Sequence, residues 1–154
     1  MQARGILPDV SHTSDRSFWD ILKLAEGPVV ASHSNCRALC DVRRNLTDEQ
    51  LRAIRDTGGV IGVNVYHGFV HAEPRMQTAA MLARHAAHIA ETIGPEHVAC
   101  GFDFCEYFGP GNEGCEGMEN CAQTGNFFFE LERLGFSAAE RQGITSENLL
   151  RVLE

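Results

Sequence analysis

Four short apolar segments, each followed by a helical pattern, constrain the fold of this chain most strongly. They cover residues 5–11, 28–34, 60–66 and 97–103. Because their apolar residues are continuous rather than alternating, each predicted strand should be buried on both faces. Buried strands separated by helices are typical of a parallel sheet with crossover connections. The sequence therefore predicts an α/β fold with the element order β-α-β-α-β-α-β-α.

The helical segments carry start and stop signals. Ser14 is a candidate N-cap for the first helix, which Gly27-Pro28 ends, and Thr47 with Gln50 three residues later indicates a capping box. Further helices are predicted at residues 78–93, 126–134 and 146–153, with a short helical turn at 37–39 and a long loop at 107–119.

Two architectures are compatible with this element order. A doubly wound sheet usually carries a glycine-rich phosphate-binding turn after its first strand, and this chain has none. A (β/α)8 barrel takes ~250 residues, whereas this chain has 154 residues and four βα units. We therefore predict a single domain, residues 1–154, that forms half of a TIM-like (β/α)8 barrel, with four parallel βα units followed by C-terminal helices.

Charge and composition exclude several classes of function. The net charge is −8 and the basic residues are dispersed, which argues against nucleic-acid binding and against an anionic membrane surface. No apolar run approaches the ~20 residues of a membrane span, and residues 1–5 do not resemble a signal peptide. The expected localisation is cytoplasmic. None of the six cysteines forms a C-x-x-C pair, so reduced and mostly buried thiols are expected rather than disulfides or a zinc knuckle.

Polar residues follow the predicted strands at one end of the sheet. His12, His33 and Asp103 lie at or just beyond strand C-termini, and Asn64 lies near the end of the third strand. In a βα barrel this is the face on which active sites are built. A single histidine there is commonly a loop residue bonded to the backbone. Two histidines in successive Ser-His pairs, together with an aspartate, favour a divalent-metal site, and imidazole with carboxylate suits Zn²⁺.

Other polar residues leave two readings open. Arg43 and Arg44 are either a solvated basic pair or supply a guanidinium that clamps a substrate carboxylate through two hydrogen bonds.

Four other histidines differ in their position along the chain. His85 and His88 are expected to be packing or surface residues of the third helix, while His67 and His71 follow the third strand and could approach the mouth of the site: these four are otherwise unassigned.

The ordered motifs resemble those of a known family. They are D-V-S-H with S-D-R-S-F-W-D, then P-V-V-A-S-H-S, R-R-N-L, G-G-V-I-G-V-N and H-V-A-C-G-F-D-F. In this order they are similar to the membrane (renal) dipeptidases, the zinc metallopeptidases of peptidase family M19, and residues 117–153 resemble that family's C-terminus. The resemblance implies a TIM-like barrel with two zinc ions bridged by a glutamate and a hydroxide. It also implies hydrolysis of dipeptides, including some with a D-residue at the C-terminal position.

By motif, the resemblance assigns a role to four residues. His12 and His33 match the histidines that hold one zinc, Arg44 matches the arginine that binds the substrate's terminal carboxylate, and Asp103 matches the aspartate that handles the proton of the bridging water. The family's H-x-D motif, bridging glutamate and further substrate-binding histidine have no counterpart here. Where many members read F-D-G after the aspartate, this chain reads Phe104-Cys105-Glu106.

The chain therefore resembles the C-terminal half of such a dipeptidase, with one partial zinc site. Three readings follow. The chain is part of a zinc-dependent dipeptidase that acts on dipeptides as a complete barrel, or it is a non-catalytic half-barrel that at most binds a metal. In either case it is expected to form a homo-oligomer or to pair with a separate N-terminal half. The third reading is a related metal-dependent amidohydrolase with another substrate.

Overall fold

The computed structural model describes residues 2–154. Nine helices and strands form the framework. They are α1 Asp15–Leu24, α2 Asp48–Asp56, β1 Ile61–Val63, α3 His67–Val70, α4 Ala79–Ile93, β2 Val98–Cys100, α5 Thr124–Arg133, α6 Ala138–Gln142 and α7 Asn148–Leu153. A π-helical segment, Gly143–Glu147, joins α6 to α7.

The parallel arrangement predicted from the apolar segments is confirmed. Strands β1 and β2 pair in parallel with Ile61 opposite Val98. Two isolated parallel bridges, Asp9 to Val30 and Ala31 to Ile61, attach the two earlier segments. The four segments therefore lie side by side in chain order, which brings their C-terminal ends to one edge.

The regular strands are shorter than predicted. Each apolar segment was expected to span seven residues, but β1 and β2 have three each and the first two segments contribute only bridges. Past the ladder, strand-end backbone groups bond to loops and side chains instead: Asn64 N donates to Asn35 Oδ1, and Cys115 N donates to the Val65 carbonyl. Tertiary contacts that periodicity does not report therefore end the strands early.

Helix boundaries follow their capping residues. The Ser14 cap and the Thr47–Gln50 capping box both form as predicted. The predicted helix at 146–153 is the end of a longer helical run that begins at Ala138, because Ser137 and Glu140 form a capping box upstream. The short turn predicted at 37–39 is present as a hydrogen-bonded turn that does not continue into a helix: Leu39 N and Cys40 N both donate to the Cys36 carbonyl.

The core lies between the parallel segments and the helices, and its largest fully buried members include Phe18, Leu51, Ile54 and Phe127. His85 of α4 is also fully buried. Its Nδ1 accepts from Cys36 N at 3.1 Å, and its Nε2 donates to the Val70 carbonyl at 2.8 Å. Of the two predicted alternatives, His85 is thus a packing residue, and it links the Cys36 loop to α3.

All six cysteines are free thiols. Cys36, Cys40 and Cys115 are buried, Cys100 and Cys105 are partly buried, and Cys121 is exposed: this distribution matches the prediction for most of them. Burial raises the pKa of Cys100 and of Cys115 to about 12, so both stay protonated at neutral pH. Among residues 2–154, no helix combines the length and the apolar character that crossing a membrane requires.

Candidate active site

Two histidines converge at the C-terminal ends of the first two parallel segments. His12 Nε2 lies 2.8 Å from His33 Nε2, and the ring centroids are 4.8 Å apart. Asp103, at the end of the β2 segment, places Oδ2 3.8 Å from His33 Nε2. Three of the four predicted site residues therefore meet at one point, although they are separated by up to 91 residues in the sequence (103 − 12).

Asp103 has an unusual backbone conformation. Its φ is +58°, in the left-handed region that aspartate enters more readily than most non-glycine residues. The fully buried Asn64 donates from Nδ2 to Asp103 Oδ2 at 3.1 Å, and Cys105 Sγ lies 3.9 Å from Oδ1. The carboxylate is therefore held from one side, while 45% of the side chain stays open to solvent and to a reactant.

Arg44 reaches the same face from the loop after the second segment. It donates a hydrogen bond to the Ser11 carbonyl, and its Cζ lies 5.2 Å from the centre of the Phe69 ring. Burial lowers the pKa of Arg44, which Asp103 and Asp9 partly oppose. A guanidinium remains charged at neutral pH and has five N–H donors, so Arg44 keeps donors for an incoming anion.

The loop that carries Arg44 is fixed by a buried neighbour. Asn45 donates from Nδ2 to the Cys40 and Phe69 carbonyls, both at 2.9 Å. Asn35 also donates to the Phe69 carbonyl, at 3.2 Å, and to the Asn64 carbonyl, at 2.9 Å. Buried amides thus connect the arginine loop with the β1 segment, whose Asn64 contacts Asp103.

The protonation of His33 suits metal binding. Burial lowers its pKa, and although Asp103 raises it, the net shift is downward, so the ring is neutral at pH 7. A neutral imidazole has one free ring nitrogen for a metal ion. The two-histidine pair therefore offers two ligands of the kind that Zn²⁺ accepts.

A network behind the histidines was not predicted as part of the site. Asp9 Oδ1 accepts from the backbone N–H groups of Ser11 and Ser32, both at 3.0 Å, and Ser32 Oγ lies 2.5 Å from Asp9 Oδ2 and 2.7 Å from His33 Nδ1. Burial raises the pKa of Asp9, but these hydrogen bonds outweigh burial and the net pKa is lowered. In the sequence, the only indication of this network is the repeated Ser-His pair, with Asp9 two residues before the first serine.

The other histidines lie elsewhere or bond locally. His88 on α4 pairs with Asp48, with 2.7 Å between Nε2 and Oδ1. His71 Nδ1 accepts from Glu73 N, and the His67 ring stacks on Tyr66 with 4.5 Å between centroids. No contact between His67 or His71 and the His12–His33 pair is found in the described chain.

A cavity of about 300 Å³ adjoins Asp103. Its wall combines apolar and aromatic side chains with polar ones: Val65, Tyr66, Phe69 and Phe108 on one hand, and Asp103, Cys105, Asn112 and Glu113 on the other. An amino-acid side chain would fit in a space of this size and character.

The two histidines do not form a complete metal site with other residues of the described range 2–154. Over residues 2–154, no group of three or more His, Cys, Asp and Glu side chains is arranged to hold a metal ion. His12 and His33 fit as two of the ligands because their Nε2 atoms point at the same region. A four-coordinate ion would need further donors, from water, from substrate or from another polypeptide segment.

Several known proteins resemble this chain in sequence. The family model described as membrane dipeptidase (peptidase family M19) matches residues 1–154. An uncharacterized protein in the pqqA 5′ region of Klebsiella pneumoniae is 48% identical over 99 residues, covering 62% of this chain. Dipeptidase ataJ of Aspergillus terreus is 33% identical over 151 residues, covering 97% of this chain.

A solved structure matches the fold closely. A metallopeptidase from Rhodobacter sphaeroides, liganded with a phosphinate mimic of the dipeptide L-Ala-D-Ala, superimposes on 97% of this chain with a TM-score of 0.85 and 29% identity. This chain covers 42% of that structure and 36% of each of the two curated relatives. It therefore spans less than half the length of each of these three proteins.

Proposed function

Since the chain belongs to the membrane dipeptidase family, peptidase family M19, we propose that it provides one side of the active site of a zinc-dependent dipeptidase. The observation that carries the proposal is the convergence of His12, His33 and Asp103 within hydrogen-bond or near-contact distance at one edge of the sheet. As part of the same proposal, the four parallel segments correspond to the C-terminal half of a TIM-like barrel.

His12 and His33 would hold one zinc ion through Nε2. When bound, a divalent metal of this kind lowers the pKa of a coordinated water and polarises a carbonyl group. The remaining zinc ligands would be groups other than these two histidines. Asp103, beside His33, is placed to take a proton from the attacking water and return it to the leaving amine.

Arg44 and the aromatic cavity would select the substrate. The guanidinium is charged and keeps free donors, so it can bind a terminal carboxylate through two parallel hydrogen bonds. That contact fixes the peptide relative to Asp103 and favours short peptides with a free C-terminus. The cavity lined by Tyr66, Phe69 and Phe108 would accept a side chain of the same substrate.

Two observations favour the alternative of a non-catalytic half-barrel. The described residues contain no complete metal site. The segment at Asp9 and strand β2 also pair on one side only within residues 2–154, which leaves open sheet edges that invite association. The expected consequence is pairing with a second copy or with a separate polypeptide that carries the other half of the barrel.

The test is dipeptide hydrolysis by the purified chain with added Zn²⁺, with His12→Ala beside the wild type. We expect His12→Ala to lower kcat/KM about 100-fold or more, because one metal ligand is lost. His88→Ala is the matched control, since His88 lies on α4 and bonds to Asp48 instead.

The outcomes separate the three readings. Zinc binding without turnover would support the non-catalytic half-barrel. Turnover that His12→Ala leaves unchanged would exclude these histidines from the chemistry. Equal hydrolysis of a dipeptide and of its C-terminal amide would favour an amidohydrolase that does not use Arg44 as a carboxylate clamp.

A further inference from the structure

The serines of the two Ser-His pairs form a hydrogen-bonded network with Asp9. Ser32 Oγ contacts both Asp9 Oδ2, at 2.5 Å, and His33 Nδ1, at 2.7 Å. Ser11 Oγ lies 3.4 Å from Ser32 Oγ and accepts from His33 N at 2.9 Å. The network spans the first two segments, and the carboxylate of Asp9 fixes the direction of the hydrogen bonds that lead to His33.

The carboxylate fixes the direction of the first bond. Asp9 Oδ1 already accepts two backbone N–H groups, and an ionised carboxylate only accepts. The contact with Oδ2 must therefore use the hydroxyl proton of Ser32.

The second bond follows from the first. A serine hydroxyl has a single proton, so Ser32 Oγ presents only lone pairs to the ring. The proton in the 2.7 Å contact must then be on His33 Nδ1, and Nε2, the nitrogen that faces His12 and Asp103, keeps its lone pair. In the metal-free chain, His12 Nε2–H is then the donor of the 2.8 Å bond between the rings.

We propose that Asp9 and Ser32 are positioning residues that hold His33 in its Nδ1–H tautomer, so that Nε2 is available to a metal ion. This inference rests on the proposed function in its use of a metal. Partners of this kind behind a metal-ligating histidine fix both ring orientation and tautomer, and losing one typically weakens metal binding by about 10–100-fold. Here a hydroxyl is inserted between carboxylate and imidazole, and the carboxylate also holds the backbone of both Ser-His pairs.

Asp9→Asn tests the direction of the bonds with a change of one atom. The amide oxygen can keep the two backbone N–H groups, while the amide NH₂ donates to Ser32 Oγ. The Ser32 hydroxyl proton is then released from the carboxylate and can donate to His33 Nδ1 at 2.7 Å, which would move the ring proton to Nε2, the ligand position.

The primary readout is the tautomer of His33, measured by two-dimensional ¹H–¹⁵N NMR of the imidazoles in the full-length, metal-free chain. We expect mainly Nδ1–H in the wild type and mainly Nε2–H in Asp9→Asn. Competition with a chromophoric chelator for Zn²⁺ should show affinity about 10–100-fold weaker in the variant.

Ser32→Ala provides a second route if Asp9→Asn folds poorly. It removes the hydroxyl that accepts from His33 Nδ1, so we expect a mixture of both tautomers and weaker zinc binding. Ser17→Ala is the matched control, because Ser17 is exposed on α1 and its hydroxyl bonds only to Ser14; it should leave tautomer and affinity unchanged.

Two results would overturn the inference: an Nε2–H tautomer of His33 in the wild type, or a tautomer that neither Asp9→Asn nor Ser32→Ala alters. If the wild-type chain fails to bind Zn²⁺, the metal part of the proposed function fails, but the tautomer measurement still decides the role of Asp9 and Ser32.

Discussion

Asp103 has a carboxylate at the candidate active site and a backbone in the left-handed region. Substitutions can test the carboxylate and the backbone conformation separately. Asp103→Ala and Asp103→Gly both remove the carboxylate that Asn64 contacts, so both should abolish hydrolysis. Only glycine relieves the φ of +58°. We therefore expect Asp103→Gly to unfold with a free energy about 1–2 kcal/mol higher than Asp103→Ala. Urea denaturation of the two variants checks this, and equal stabilities would show that the backbone conformation carries no cost.

Sequence reasoning named candidate site residues at strand ends, which the fold brings close together, and did not name the residues behind them. His12, His33 and Asp103 were predicted because each follows an apolar segment, and the ends of parallel segments meet at one edge. Asp9 and Ser32 lie within the apolar segments, and the repeated Ser-His pair alone does not predict their contact, because their hydrogen bond joins residues 23 apart and depends on how the first two segments pair. Arg44 was separated from Arg43 only by the resemblance to a known family, and its contacts with Ser11 and Phe69 depend on the folded loop.

Two glycines allow the end of the second segment to lie against its neighbours. A Cβ at Gly62 or at Gly101 would overlap the carbonyl oxygen of Ser32. Because that oxygen is backbone, it cannot move without shifting Ser32 and the adjacent His33. The glycines of β1 and of the β2 segment therefore set the position of the histidine at the element level.

Gly101→Ala should consequently destabilise the chain and weaken zinc binding together. Overpacking of this kind costs about 1–3 kcal/mol, and here the displaced group is the backbone next to a candidate ligand. Gly125→Ala in α5 is the control, since no atom lies within 4 Å of an added Cβ there, and alanine in a helix should stabilise by up to about 1 kcal/mol. Thermal unfolding and zinc titration of both variants provide the measurements; unchanged zinc affinity in Gly101→Ala would refute the positioning role of the glycine pair.

At the scale of the whole molecule, the parallel order of four segments was predictable and the extent of their pairing was not. Continuous apolar runs indicate burial on both faces, but they do not say where a ladder gives way to loop contacts such as that of Asn35 with Asn64. Capping residues predicted α1 and α2 well because a cap acts locally. The longer helical run from Ala138 depended on a Ser137–Glu140 capping box that the sequence contains and that the predicted boundary overlooked.

The buried His85 should make the stability of the whole chain depend on pH. Burial lowers its pKa to about 4, whereas an unfolded histidine titrates near 6.5. Between these pH values the unfolded chain binds a proton that the native chain does not. The free energy of unfolding is therefore highest, as far as His85 affects it, above about pH 6.5, and it falls as the pH drops toward 4. The loss from this residue amounts to about 3 kcal/mol, and the lowered pKa of His33 adds a loss in the same direction.

Urea denaturation between pH 4 and pH 6.5 measures the effect. The quantity compared between variants is the slope of the free energy of unfolding against pH, not its absolute value. His85→Gln removes the titrating ring from between Cys36 and Val70, so its free energy of unfolding should vary less with pH than that of the wild type. If His85→Gln keeps the full pH dependence, the acid sensitivity of the fold originates elsewhere and the core histidine is not held neutral by its burial.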